Sequence, residues 1–151
     1  MAERIVEWGR LGLVEEPIDV AVWLAEASHP ACGAASLFLG VVRNHHDQRA
    51  VRHLEYEAYD DMVLGVFEQI AGELRARWDV RRLALAHRKG RLEIGEVAVL
   101  VAVATPHRQD AFEACRYGID EIKRRAPIWK KEIYVEGQAC WVENPEGAAE
   151  S

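Results

Sequence analysis

Lysine is scarce in this 151-residue chain: four occur, against fifteen arginines. Cysteine is scarcer still. Cys32, Cys115 and Cys140 are odd in number, widely spaced and include no Cys-x-x-Cys pair. That argues against a disulfide scaffold or a zinc site and fits buried thiols in a reducing compartment. Serine is confined to Ser28, Ser36 and Ser151, and neither a Gly-x-Ser-x-Gly elbow nor a glycine-rich phosphate loop occurs. No run approaches the roughly 20 apolar residues of a membrane span, and the start, Ala2-Glu3-Arg4, does not read as a signal peptide. A soluble, cytoplasmic protein without a membrane partner is expected. The formal charge of −6 argues against nucleic-acid binding through a broad basic surface, so any anion site must be a local pocket.

What is present is ordinary globular material, half of it hydrophobic and 29% charged, enough for one domain with a substantial core. We expect that domain over residues 1–144, with 145–151 as a loose tail. Asp19 caps a short helix to Ser28, with Val20, Trp23, Leu24 and Ala27 on one face. Gly33 to Arg43 reads as a strand in which Ala35, Leu37, Leu39 and Val41 share a side. The polar loop 44–49 leads to a strand from Val51 to Ala58. Asp60 or Asp61 then caps a helix striped by Val63, Val66, Phe67, Ile70 and Leu74. A strand over 82–88, a turn-rich link over 90–95 and an unbroken apolar strand over 97–104 follow, the last expected to be covered on both faces. Thr105 as N-cap and Pro106 at the first position start a helix that ends before Pro127. A hairpin over 128–142 closes an α-β-β-α-β-β-α-β-β order. Two strand pairs are joined too briefly for parallel crossovers, so the fold class is α+β with a mostly antiparallel sheet.

Three of the four lysines fall within nine residues, Lys123, Lys130 and Lys131, around Pro127-Ile128-Trp129. An amine can give up its proton when partly desolvated, whereas a guanidinium stays charged, so the clustering suggests amine chemistry. The same cluster also fits a solvated helix end that complements the helix dipole. Lys123 borders the buried stripe of its helix. Lys130 and Glu132 share a side of the following strand, about 7 Å apart, close enough to serve one pocket as acid–base equipment. His107-Arg108 in the first helical turn can seat a phosphate among free backbone N–H groups. Arg43 continues the apolar parity of its strand, so it is either bridged in the interior or aimed at an anionic ligand. His45-His46-Asp47 lacks a third ligand at suitable spacing, and no metal is expected there.

Several separated motifs together resemble one family. They are Gly33-Ala-Ala-Ser-Leu-Phe-Leu-Gly-Val-Val-Arg43, Leu54 to Met62, His87-Arg-Lys-Gly-Arg-Leu-Glu-Ile-Gly-Glu96, His107-Arg108 with Ala111-Phe112, and Lys123 through Pro-Ile-Trp-Lys-Lys-Glu132. Their order and spacing from about Ile18 to Val142 resemble the large, catalytic subunit of molybdopterin synthase. The resemblance implies an α/β-hammerhead fold with a C-terminal hairpin, and a homodimer at the centre of a heterotetramer. It implies a small ubiquitin-like partner subunit whose C-terminal Gly-Gly carries a thiocarboxylate. The implied reaction inserts two sulfurs into cyclic pyranopterin monophosphate, giving the dithiolene of molybdopterin, with no cofactor of the protein's own. By motif position Lys123 and Lys130 match catalytic lysines, while Val41, Val42, Arg43, His107, Arg108, Lys131 and Glu132 match substrate-site positions. The chain departs from the family at two points. The loop after Arg43 reads Asn-His-His-Asp-Gln-Arg without the Asn-x-Gly turn of many members, and position 41 is valine where some carry lysine.

Two other functions share these residues: a pterin- or nucleotide-phosphate binding module without turnover, and a Schiff-base lysine enzyme. One expectation comes from helix geometry. His107 and Lys123 are sixteen residues apart on one helix, about 24 Å at 1.5 Å per residue. A pterin monophosphate is roughly half that long, so if both serve one substrate they belong to different subunits of a two-fold dimer.

Overall fold

The first elements lie ahead of the expected starting helix. In the computed structural model, which describes residues 2–142, β1 (Ala2–Val6) and β2 (Gly9–Val14) form an antiparallel hairpin. Then follow α1 (Val20–Ala25), β3 (Ala34–Val41), β4 (His45–His46), β5 (Arg49–Ala58) and α2 (Asp60–Arg77). The chain continues through β6 (Arg82–Arg88), β7 (Gly90–Glu93), β8 (Val97–Thr105), α3 (Arg108–Arg125), β9 (Ile128–Tyr134) and β10 (Ala139–Val142). The expected tail over 145–151 lies outside the described residues.

Five strands form one sheet in the order β1-β2-β6-β8-β3. A second sheet runs β10-β9-β5-β4, with β7 also paired to β5. Only β2 and β6 are parallel among the described pairs, so the α+β, mostly antiparallel expectation holds. The parallel pair is possible because α1, β3, β4, β5 and α2 intervene between its two strands.

The first sheet is covered on both faces, which is why β8 is apolar throughout. On one face α2 and α3 bury Phe67, Ile70, Leu74, Cys115 and Ile119 against Leu83, Leu85, Val101 and Val103. On the other, Trp23 and Ala27 pack on Ala84, Ala86, Leu100 and Ala102. Asp19 caps α1 as expected, its Oδ1 accepting from the Val22 N–H at 3.3 Å. The helix is six residues long and lies over β6 and β8, leaving the edge strand β3 uncovered on that side. Leu37 and Val41 are therefore 37% and 47% exposed, although their parity suggests a core face.

Other local expectations change for identifiable reasons. Residues 90–93 of the turn-rich link are strand β7, since the edge of β5 offers them hydrogen-bonding partners. Asp60 and Asp61 are not the cap of α2: Tyr59 occupies that position without a side-chain bond, and Asp60 instead accepts from Lys89 at 2.7 Å. Thr105-Pro106 does not open α3. Thr105 is fully buried as the last residue of β8, its hydroxyl donates to the His107 carbonyl at 2.6 Å, and the helix begins at Arg108 with His107 as its N-cap. Loop 44–49 contains β4, a two-residue strand paired with the start of β5. Cys115 is buried, but Cys140 is exposed on the edge strand β10.

Candidate functional site

The C-terminal end of α3, the end of β3 and the inner side of β9 meet around a cavity of about 240 Å³. Its floor comes from β3. A Cβ on Gly40 would sit 2.4 Å from Val99 Cγ1, so any side chain here would force Val99 on β8 to shift. Immediately beyond, the β3–β8 register shifts between Gly40 and Val41. Val42 is then drawn into the interior, its N–H donating to the Glu96 carbonyl at 3.0 Å, and Val41 and Arg43 are left exposed at the cavity. Arg43 is thus at an open edge, not in an interior bridge.

Lys123 enters from the last turn of α3, partly buried beside Ile119 and Ile122. The break at Pro127 turns the chain into β9, where strand alternation carries Ile128, Lys130 and Glu132 onto the cavity side. Lys131 takes the other side, its Nζ 5.7 Å from the centre of the Trp141 ring. Val41, Val42, Arg43, Lys123, Lys130 and Glu132 consequently line one cavity. His107 and Arg108 do not line it. They are exposed at the opposite end of an 18-residue helix, about 27 Å long.

Glu132 is the buried carboxylate of the site, 3% exposed. Its Oε1 accepts from the Tyr134 hydroxyl at 2.9 Å and lies 2.7 Å from His46 Nδ1. Burial and the Glu132 carboxylate both push the Tyr134 hydroxyl upward, which keeps it a donor. His87, on β6, lines the cavity and meets the Tyr56 ring edge-on at 4.9 Å between centroids. Its Nδ1 is 2.7 Å from the Arg88 carbonyl. A carbonyl only accepts, so Nδ1 holds the proton of the neutral ring and Nε2 the lone pair. Burial pulls this imidazole down to about 4, opposed by the Arg88 carbonyl and assisted by the positive charge of Lys123.

The sequence reading does not assign His46, His87 or Tyr134 to the site. A histidine inside the buried strand Leu-Ala-Leu-Ala-His was a signal for His87, because such strands rarely admit a polar side chain without a reason. No sequence signal pairs His46 with a carboxylate 86 positions away. Of the adjacent histidines, His45 Nδ1 sits 2.9 Å from Asn44 Oδ1 while His46 turns to Glu132. Among the described residues no group of three His, Cys, Asp or Glu side chains is placed to hold a metal ion. Nor is any described helix long and apolar enough to cross a membrane. The arrangement is a small cavity with two amines and a guanidinium around one fixed carboxylate, suited to holding an anion and moving protons.

The model of the MoaE protein family matches residues 13–125, and the chain belongs to that family. A relative from Aedes aegypti named molybdopterin synthase catalytic subunit 2 is 47% identical over 122 residues, 79% of this chain and 79% of that one. The crystal structure of molybdopterin synthase from Staphylococcus aureus superposes with a TM-score of 0.82 at 36% identity, covering 92% of this chain and 98% of that one. A structure of the complex of subunits 1 and 2 of molybdopterin-converting factor from Helicobacter pylori shares the fold, with a TM-score of 0.72 at 24% identity, covering 88% and 90% of the two chains.

Proposed function

We propose that this chain transfers two sulfur atoms to cyclic pyranopterin monophosphate from the C-terminal thiocarboxylate of a small ubiquitin-like partner subunit. The observation that carries this reading is the convergence of Lys123, Lys130 and Arg43 on one cavity with the buried Glu132. Arg43 holds anionic substrate groups. Lys123 and Lys130 orient the thiocarboxylate and stabilise the oxyanion that forms when its carbonyl carbon is attacked. In each transfer the sulfur becomes bonded to a pterin side-chain carbon as a carbon–oxygen bond at that carbon breaks, the oxygen leaving with a proton or with the phosphate group. Water then supplies the oxygen that replaces the sulfur, the bond from the partner's carbonyl carbon to sulfur breaks, and the partner leaves as a carboxylate. Glu132 and the lysines carry the protons.

A cavity of this size admits the thin glycine-glycine end of a partner chain, while the partner's folded body stays outside. His107 and Arg108 serve the phosphate from a second copy of the chain, because α3 separates them from their own Lys123 by its full length. The assembly is therefore a homodimer with a small subunit at each end. Incubation with cyclic pyranopterin monophosphate and a thiocarboxylated small subunit should give dithiolene-containing pterin. Ligand binding without product would make the chain a binding module. Borohydride trapping of Lys123 or Lys130 on a carbonyl substrate, with no partner present, would make it a Schiff-base enzyme.

A further inference from the structure

The hairpin between β4 and β5 is built on a turn whose two central residues, Asp47 and Gln48, both have positive φ, 48° and 64°. This is the pattern of a type I′ turn, which favours glycine or asparagine, and glutamine is poorly suited to it. A left-handed backbone costs roughly 1 kcal/mol for such a residue and persists where surrounding contacts over-determine it.

Those contacts lie on both sides of the turn and reach the β9–β10 hairpin. After the turn, the Arg49 guanidinium stacks over the Tyr134 ring at 3.5 Å. It also donates to Gln138 at 3.0 Å and to Glu136. Before the turn, His46 points inward and places Nδ1 2.7 Å from Glu132 Oε1, its side chain only 16% exposed. Asp47 Oδ2 stands 3.7 Å from His46 Nε2 on the other side of the ring. The backbone of Glu132 is held between β5 and β10, opposite Leu54 and Cys140. Strand pairing does not set the rotation of the carboxyl group, however. Side chains do, and at Oε1 the carboxylate meets His46 from the turn and Tyr134 from the same strand.

We infer that His46 is a positioning residue, which holds Glu132 Oε1 so that the carboxylate's second oxygen is presented to the lysine-lined cavity. The role rests on the reading of that cavity as the sulfur-transfer site. His46 does not itself line the cavity and acts through Glu132. The turn holds His46 over Glu132, and Arg49 ties the turn to the strand that carries Glu132.

The test compares His46→Leu with His46→Asn in the assay with the thiocarboxylated small subunit. Asparagine keeps an N–H about where Nδ1 stands, whereas leucine fills the space without a donor. His46→Leu should lower kcat about tenfold with KM within about twofold, and His46→Asn should recover most of the loss. A leucine variant that turns over like the wild type, or an asparagine variant as poor as leucine, overturns the inference. If His46→Leu does not fold, His46→Gln takes its place; its amide is one methylene too far out, so it should fall below asparagine. Should the wild type itself give no product, the functional reading fails and the geometry is still tested by nitrogen-15 NMR of the imidazole. A slowly exchanging Nδ1–H that is lost in Glu132→Ala supports the contact. Its absence in the wild type, or its persistence in Glu132→Ala, overturns it.

Discussion

Lys123 and Lys130 reach the cavity from a helix end and a strand, and neither belongs to the hydrophobic clusters. Replacing either by alanine should therefore abolish product formation while changing folding stability by less than about 1 kcal/mol. Near-normal turnover in a folded variant would remove that lysine from the mechanism. Lys130→Arg is the sharper substitution, since it keeps the charge and discards the transferable proton. It should lose activity by roughly 100-fold if proton transfer is needed, and recovery of most activity would reduce the role to electrostatics. His87 carries a different expectation. Its folded-state value of about 4 lies below the unfolded 6.5, so the unfolded chain binds the extra proton between those limits. Stability from this group is complete above about pH 6.5 and falls toward pH 4, by up to about 3 kcal/mol. Chemical denaturation at a series of pH values should show this slope, and His87→Gln should flatten it. An unchanged slope would assign the acid sensitivity to other groups.

At the scale of elements, the β4–β5 turn is where a local preference has yielded to distant contacts. Gln48→Gly removes the left-handed penalty at φ 64°, which outweighs the unfolded-state entropy that glycine adds, for a small net gain of up to roughly 0.5 kcal/mol. Equilibrium unfolding measures it directly, and a loss of stability would mean that the glutamine side chain supports the turn. The helices show the opposite case, in which a local pattern survives. The stripes of α2 and α3 were readable because a 3.6-residue period marks the buried face whatever packs against it. Ala111, Cys115, Gly118, Ile119 and Ile122 are all buried as that period requires. The beginning of α3 was not readable. Thr105-Pro106 is a good start in isolation, but pairing of β8 with β3 and β6 extends the strand through Ala104 and Thr105 and delays the helix.

For the whole molecule, the distance along α3 sets the expectation. With His107 and Arg108 at one end and Lys123 at the other, no single chain brings all three to one small substrate. An Arg108→Ala protein and a Lys123→Ala protein should each be inactive alone. Mixed under conditions of verified subunit exchange, they should regain one intact site per heterodimer. No recovery would mean that each site is completed within one chain, and that His107 and Arg108 serve something else.

The sequence by itself determined the α+β class, the two striped helices, the doubly covered strand β8 and the placement of Lys130 and Glu132 on one side of β9. The helices and β9 follow from periods of 3.6 and two residues, β8 from an unbroken apolar run and the class from short connections, all of them properties of neighbours along the chain. Resemblance to a family supplied the proposed function, which no period could. Tertiary structure alone decided four other matters: the N-terminal hairpin, the parallel β2–β6 pair, the shift at Gly40–Val41 that leaves Arg43 open to the cavity, and the contact of His46 with Glu132. Residues 2–14 are short and interrupted by Gly9 and Gly12, so their strands form only because β6 offers an edge. In the last three the partners lie far away along the chain; the hairpin is local but its β2 docks on the distant β6, and the free energy that selects these contacts exists only after the sheets have assembled.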